Sequence, residues 1–194
     1  MRSAPTTFAL LLACAACSTA GAVPTDLAAM LRDAPAEAPL RLWLAGNRIV
    51  AAAVPGGPGL LPAEARVALD AVAPRGELLF QGREWSERGT GFRVDKRYRG
   101  AGEDHDRSVL LSADGRVLER DHTVPIGAVP QHVLAAALTV AGTIDEARIV
   151  SGPEREECWR LVVHDRSGRE FVVTVALDGR LLGSLRRLGA SVAG

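Results

Sequence analysis

Lysine is nearly missing from this chain: Lys96 is the only one among 23 basic residues, and the others are arginine. The acidic residues also number 23, so the formal net charge is zero. A balanced chain has no long-range pull toward nucleic acid or an anionic bilayer, and neither is an expected partner. Cysteine is scarce as well. Cys14 and Cys17 fit C-x-x-C in form but lie in an N-terminal targeting segment, which leaves Cys158 alone, without an internal disulfide partner. Beside Trp159 at the start of an apolar run, it reads as a buried, inert thiol. No later stretch approaches the ~20 continuous apolar residues of a membrane helix. G-x-S-x-G, H-E-x-x-H, a P-loop and G-x-G-x-x-G are all absent, and the glycine run at 56–59 is broken by Pro58. The expectation is therefore a non-enzyme with no catalytic residues and no cofactor.

Hydrophobic residues make up 47% and charged residues 24%, as in folded chains. Residues 1–22 read as a signal peptide: Arg2, an apolar core at 8–13, and the small-residue site Ala20-Gly21-Ala22. Leu11-Leu12-Ala13-Cys14 also resembles a lipobox, which makes Cys14 a candidate for lipidation. Release after Ala22 and anchoring through Cys14 remain alternatives. Both predict an exported protein, periplasmic or lipid-anchored to the envelope, touching membrane only through that lipid.

A short pattern recurs along the chain. Asp114-Gly115-Arg116-Val117-Leu118 is echoed by Asp178-Gly179-Arg180-Leu181-Leu182 and, in altered form, by Gly46-Asn47-Arg48-Ile49-Val50. A shift of 68 residues carries Arg48 onto Arg116 and Leu61-Pro62 onto Val129-Pro130; identity in this frame is low, but turn, proline and apolar positions fall into register. Asp-Gly between apolar runs predicts hairpins with type I′ turns, and Ser167-Gly168 predicts another tight turn. Helices are expected at 25–33, capped by Thr25 and stopped by Pro35, at 62–72, and from Pro130 to a stop at Gly142. Strands are expected between them.

The divisions are then 1–22 signal, 23–39 short helix and linker, 40–59 hairpin and Gly/Pro loop, 60–121 first module and 122–194 second module. The predicted fold class is α+β: two tandem modules, each a helix packed on a roughly four-stranded antiparallel sheet.

The run from Val109 to Glu119, with Val129-Pro130 and Val133, resembles PepSY-like domains of bacterial envelope and secreted proteins. So does Trp159 to Val163 with Phe171 to Leu182. Two such units in tandem are similar in plan to beta-lactamase-inhibitor-like proteins. The resemblance implies a binding or inhibitory role outside the cytoplasm, with another envelope or secreted protein as partner and, in its sharper form, inhibition of a peptidase. It supplies no catalytic residues. The alternatives are a structural envelope lipoprotein and a small metal-binding protein.

The metal reading rests on Asp104-His105-Asp106 and Asp121-His122. Around a turn at 114–115, position 107 faces 122 and position 108 faces 121, so His105 and His122 are weak candidate ligands at one hairpin end. An exposed, charged hairpin end is the commoner meaning of such a pattern. Trp85, flanked by polar Arg83-Glu84 and Ser86-Glu87, is the candidate exposed interface residue.

Overall fold

The computed structural model describes residues 24–35, 37–57, 59–87, 89–100 and 105–191. The signal peptide and Cys14 lie outside them. The elements run α1 (Thr25–Arg32), β1 (Pro39–Ala45), β2 (Arg48–Pro55), α2 (Ala63–Val72), β3 (Glu77–Ser86), β4 (Gly89–Tyr98), β5 (His105–Leu111) and β6 (Val117–Val124). A 3₁₀ turn (Ile126–Ala128), α3 (Gln131–Leu138), β7 (Thr143–Gly152), β8 (Arg155–His164), β9 (Glu170–Ala176) and β10 (Leu181–Ser191) follow.

All ten strands form one closed antiparallel barrel, each paired with its sequence neighbours, and β10 returns to pair with β1. This corrects the expected two modules with separate sheets. Asp121 pairs with Val150 and Arg120 with Ser151 across the supposed module boundary, and Pro55 pairs with Gly82 across the other. The physical reason lies in the edges. A four-stranded sheet leaves two rows of unpaired N–H and C=O groups, and closing the sheet satisfies them all.

The helices form where expected. Pro62 and Pro130 precede α2 and α3, as their missing N–H groups favour. Pro24, not Thr25, occupies the cap position of α1, and α3 ends at Thr139, ahead of Gly142. Each helix lies on the outside of the barrel over its own apolar patch. Leu27, Met30 and Leu31 of α1 meet Leu40, Leu42, Leu44, Ala52, Val54 and Trp85. Ala65 and Leu69 of α2 meet Val94, Val109 and Leu111. Val133 and Ala137 of α3 meet Trp159, Leu161, Val163, Val173 and Val175. Among the described residues no helix is long and apolar enough to cross a membrane.

The hairpin register is as read from the sequence, with Arg107 opposite His122 and Ser108 opposite Asp121. The turn type differs. Gly115 N–H bonds to the Ser112 carbonyl at 3.1 Å, and Gly115 (φ 83°), not Asp114, takes the left-handed conformation. This is a type I turn closed by a left-handed glycine, and Gly179 (φ 89°) and Gly168 (φ 76°) repeat it.

The two Asp-Gly turns have a second duty, because each packs on the start of a helix. A Cβ at Gly115 would lie 2.7 Å from the Glu64 carbonyl oxygen in α2, and one at Gly179 would lie 2.7 Å from Cδ2 of His132 in α3. Gly115→Ala meets fixed backbone as well as an unfavourable φ, and is expected to cost about 2–3 kcal/mol. Gly179→Ala meets a ring that can swing aside, and should cost about 1–2 kcal/mol. Urea denaturation of both variants checks the order; equal losses would mean that helix contact contributes nothing.

Candidate functional site

Because the helices cover the outer face, the strands place their apolar residues outward and their polar residues inward. Trp159, Leu161 and Val163 of β8 pack under α3, so the alternate Arg160 and Val162 face the lumen. Val94 packs under α2, so Arg93 and Asp95 face inward. The lumen is a cavity of about 1060 Å³ to which every strand contributes.

At its centre is a network of arginines and carboxylates. Arg148 and Arg160 sit directly opposite each other on β7 and β8, an arrangement of like charges that is unfavourable alone. Two acids from β6 relieve it. Asp121, 2% exposed at its side chain, accepts from Arg148 at 2.6 Å and lies 3.4 Å from Arg160. Glu119 takes both Nη atoms of Arg160 at 2.9 Å and Nη1 of Arg155 at 2.7 Å. Arg93 donates to Glu119 at 3.1 Å, grips Glu84 through two bonds of 2.8 Å, and also donates to Ser108 Oγ at 3.0 Å. Ser108 Oγ–H in turn donates to Asp95 Oδ1 at 2.7 Å. Such forked guanidinium–carboxylate contacts are the strong form of the ion pair.

The electrostatics follow from this packing. Burial pushes the Glu119 carboxyl up, but the guanidiniums of Arg160, Arg93 and Arg155 outweigh it and hold it well below the usual carboxylate range. Burial pulls Arg93 down, and Glu84, Glu119 and Asp121 more than reverse that. Arg148 and Arg160 are likewise held above the ordinary arginine value, by Asp121 with Glu146 and by Glu119 respectively. These groups have been moved away from neutrality. A general acid or base needs the opposite. The arrangement fixes charge and shape.

The residues singled out from the sequence lie elsewhere. His122 and Asp121 are neighbours in a strand and so face opposite sides of the wall, Asp121 inward and His122 outward. His105 stacks on Tyr98 with ring centroids 5.3 Å apart, while Asp106 is held by Arg97 at 2.8 and 3.0 Å. Asp104 is outside the described residues. Among those described, no group of three or more His, Cys, Asp or Glu side chains could hold a metal ion. The expectation for Trp85 is corrected: it is 5% exposed and belongs to the core beneath α1. Its polar neighbours Glu84 and Ser86 point into the lumen, so they say nothing about the face Trp85 occupies. Cys158 is buried and free, with Arg155 Nη2 at 2.9 Å from its sulfur.

Glu119, Arg93, Arg155 and Arg160 were not found by sequence reasoning. The available signal was alternation, Phe92-Arg93-Val94-Asp95 in β4 and Glu119-Arg120-Asp121 in β6, but alternation alone does not say which face is inside.

The chain matches no protein-family model and no curated protein. Several solved structures resemble it. A candidate periplasmic protein from Bacteroides eggerthii is 16% identical with a TM-score of 0.51, over 66% of this chain and 90% of that one. A DUF2874 family protein from Bacteroides uniformis is 16% identical with a TM-score of 0.48, over 64% of this chain and 88% of that one. A BLIP-like protein from Bacteroides fragilis is 19% identical with a TM-score of 0.44, over 71% of this chain and 91% of that one. At these identities the likeness is one of fold alone.

Proposed function

We propose that this chain is an exported, non-enzymatic binding module of the bacterial cell envelope, acting on another envelope or secreted protein. The observation that carries the reading is the lumen network. Its charged groups are engaged with one another, and those whose ionisation is displaced are displaced away from neutral pH. Ser108, the hydroxyl within it, is held between Arg93 and Asp95 with no imidazole in the network. A rigid wall braced in this way presents surfaces. Because the barrel is closed, it has no open strand edge on which a partner could add a strand, so recognition falls to side chains of the outer wall and rims. Inhibition of a peptidase is the form of binding to test first.

The test is cross-linking in intact cells followed by fractionation. A discrete heteromer in the envelope or secreted fraction is expected, together with no turnover of peptide or ester substrates by the purified protein. A chain found only as a free monomer, or a hydrolytic activity abolished by Glu119→Gln, overturns the reading.

A further inference from the structure

The outer wall carries an arrangement that the lumen does not tolerate. Lys96 of β4 lies opposite Arg107 of β5, and Arg107 lies opposite His122 of β6, so three basic side chains stand in one row across three strands. Arg120, two residues from His122 on the same face, extends the row. Val94 and Val109 on this face pack under α2, and Ile149, opposite His122, packs under α3, so the row occupies outer wall between the two helices.

Inside the barrel, the facing pair Arg148 and Arg160 is compensated by two carboxylates. Outside, among the described residues, the hydrogen-bond partners of the three cations are neutral. Lys96 donates to the Ala73 carbonyl at the end of α2 at 2.8 Å, Arg107 to His105 Nε2 at 3.3 Å, and Arg120 to Ser151 Oγ at 3.4 Å. Arg107 also lies 4.8 Å over the Tyr98 ring, and Tyr98 stacks on His105. Burial and the Arg107 charge hold His122 below the usual histidine value, with Asp121 and Glu157 opposing. Of those two acids, Asp121 points into the lumen and is held there by Arg148. Like charges facing one another across strands are unfavourable unless something neutralises them. The chain as a whole is neutral, so this is a local feature and not a by-product of a basic protein.

We propose that this row, centred on Arg107 and Arg120 with Tyr98 beside it, is the docking surface for an acidic segment of the partner protein. The inference rests on the reading of the chain as a protein-binding module. A protein segment fits better than an anionic bilayer, because the helices on either side stand about 10 Å proud of the wall and would meet a flat surface first. An extended peptide bearing Asp or Glu reaches the floor between them and brings carboxylates to the guanidiniums.

The probe is a fluorescein-labelled deca-glutamate peptide, titrated at low salt into the purified exported chain. Vesicles of phosphatidylglycerol and phosphatidylcholine are run in parallel. Arg107→Glu with Arg120→Glu should weaken peptide binding about tenfold or more, while the exposed-turn control Arg166→Glu leaves it unchanged. Arg107→Gln with Arg120→Gln gives the same reading should charge reversal disturb folding. No binding by the wild-type chain, equal binding by both double variants, or capture of vesicles but not peptide overturns the proposal. Cross-linking in cells separates its failure from that of the underlying reading. A heteromer that survives in the double variant sinks the docking surface alone, and no heteromer in any form sinks the module reading.

Discussion

Replacing Glu119 by glutamine is expected to cost about 3 kcal/mol of stability, far more than an ordinary surface change. Three guanidiniums, those of Arg93, Arg155 and Arg160, donate to its carboxylate, and its side chain is only 12% exposed. Glutamine keeps the shape and removes the charge, so the loss measures three cations left facing one another in a confined space. Arg155→Ala is the comparison. It leaves Glu119 with two partners and should cost about 1 kcal/mol. Urea denaturation of the two variants decides the matter; a Glu119→Gln change within about 0.5 kcal/mol of wild type would show that the network braces nothing. The same variant alters the acid limb of stability. The Glu119 carboxyl is held below its unfolded value, so its contribution is complete above the unfolded pKa and is lost as pH falls toward the folded one. The decline on acidification should therefore be shallower in Glu119→Gln.

Trp85→Ala is expected to cost about 3–5 kcal/mol, in the range of large buried aromatic truncations. Trp85 lies opposite Ala52, which is fully buried, and the small residue makes room for the large one. Together they form part of the floor on which α1 rests. A helix of eight residues is not stable by itself and depends on this contact. Loss of the indole should therefore release α1 as well as create a cavity. Denaturation gives the energy, and hydrogen exchange at residues 25–32 gives the location. Unchanged protection there would show that α1 is held by Leu40, Leu42 and Leu44 without Trp85.

What was legible in the sequence was local. The Asp-Gly turns, the prolines before α2 and α3, and the 107–122 register are set by residues within a few positions of one another, and these appear where expected. The turn subtype was missed because a type I turn with a left-handed glycine also suits Asp-Gly, and only the backbone distinguishes it from type I′. Barrel closure was illegible because the pairing of Pro39 with Ser191 joins opposite ends of the described chain and leaves no mark on either segment. The site was illegible for a different reason. Glu119 and Arg93 look like solvent-facing strand residues under the usual rule of polar out, apolar in. Here the helices lie outside the barrel and the rule is reversed, so the strand alternation alone could not reveal a polar interior. Trp85 was misplaced because its immediate neighbours Glu84 and Ser86, which lie on the opposite face of the strand, were read as marking its own surroundings.

The strand that closes the barrel has a consequence of its own. None of residues 181–190 in β10 is buried, so it adds little to the core. Yet it pairs with β1 on one side and β9 on the other. Clipping the chain before Leu181 would cost few apolar contacts and would uncover two complementary strand edges at once, on a body otherwise intact. Such a fragment would keep most of its fold and associate edge to edge with its own copies. A strand with no fully buried residue between 181 and 190 is thus the one that keeps neighbouring molecules apart.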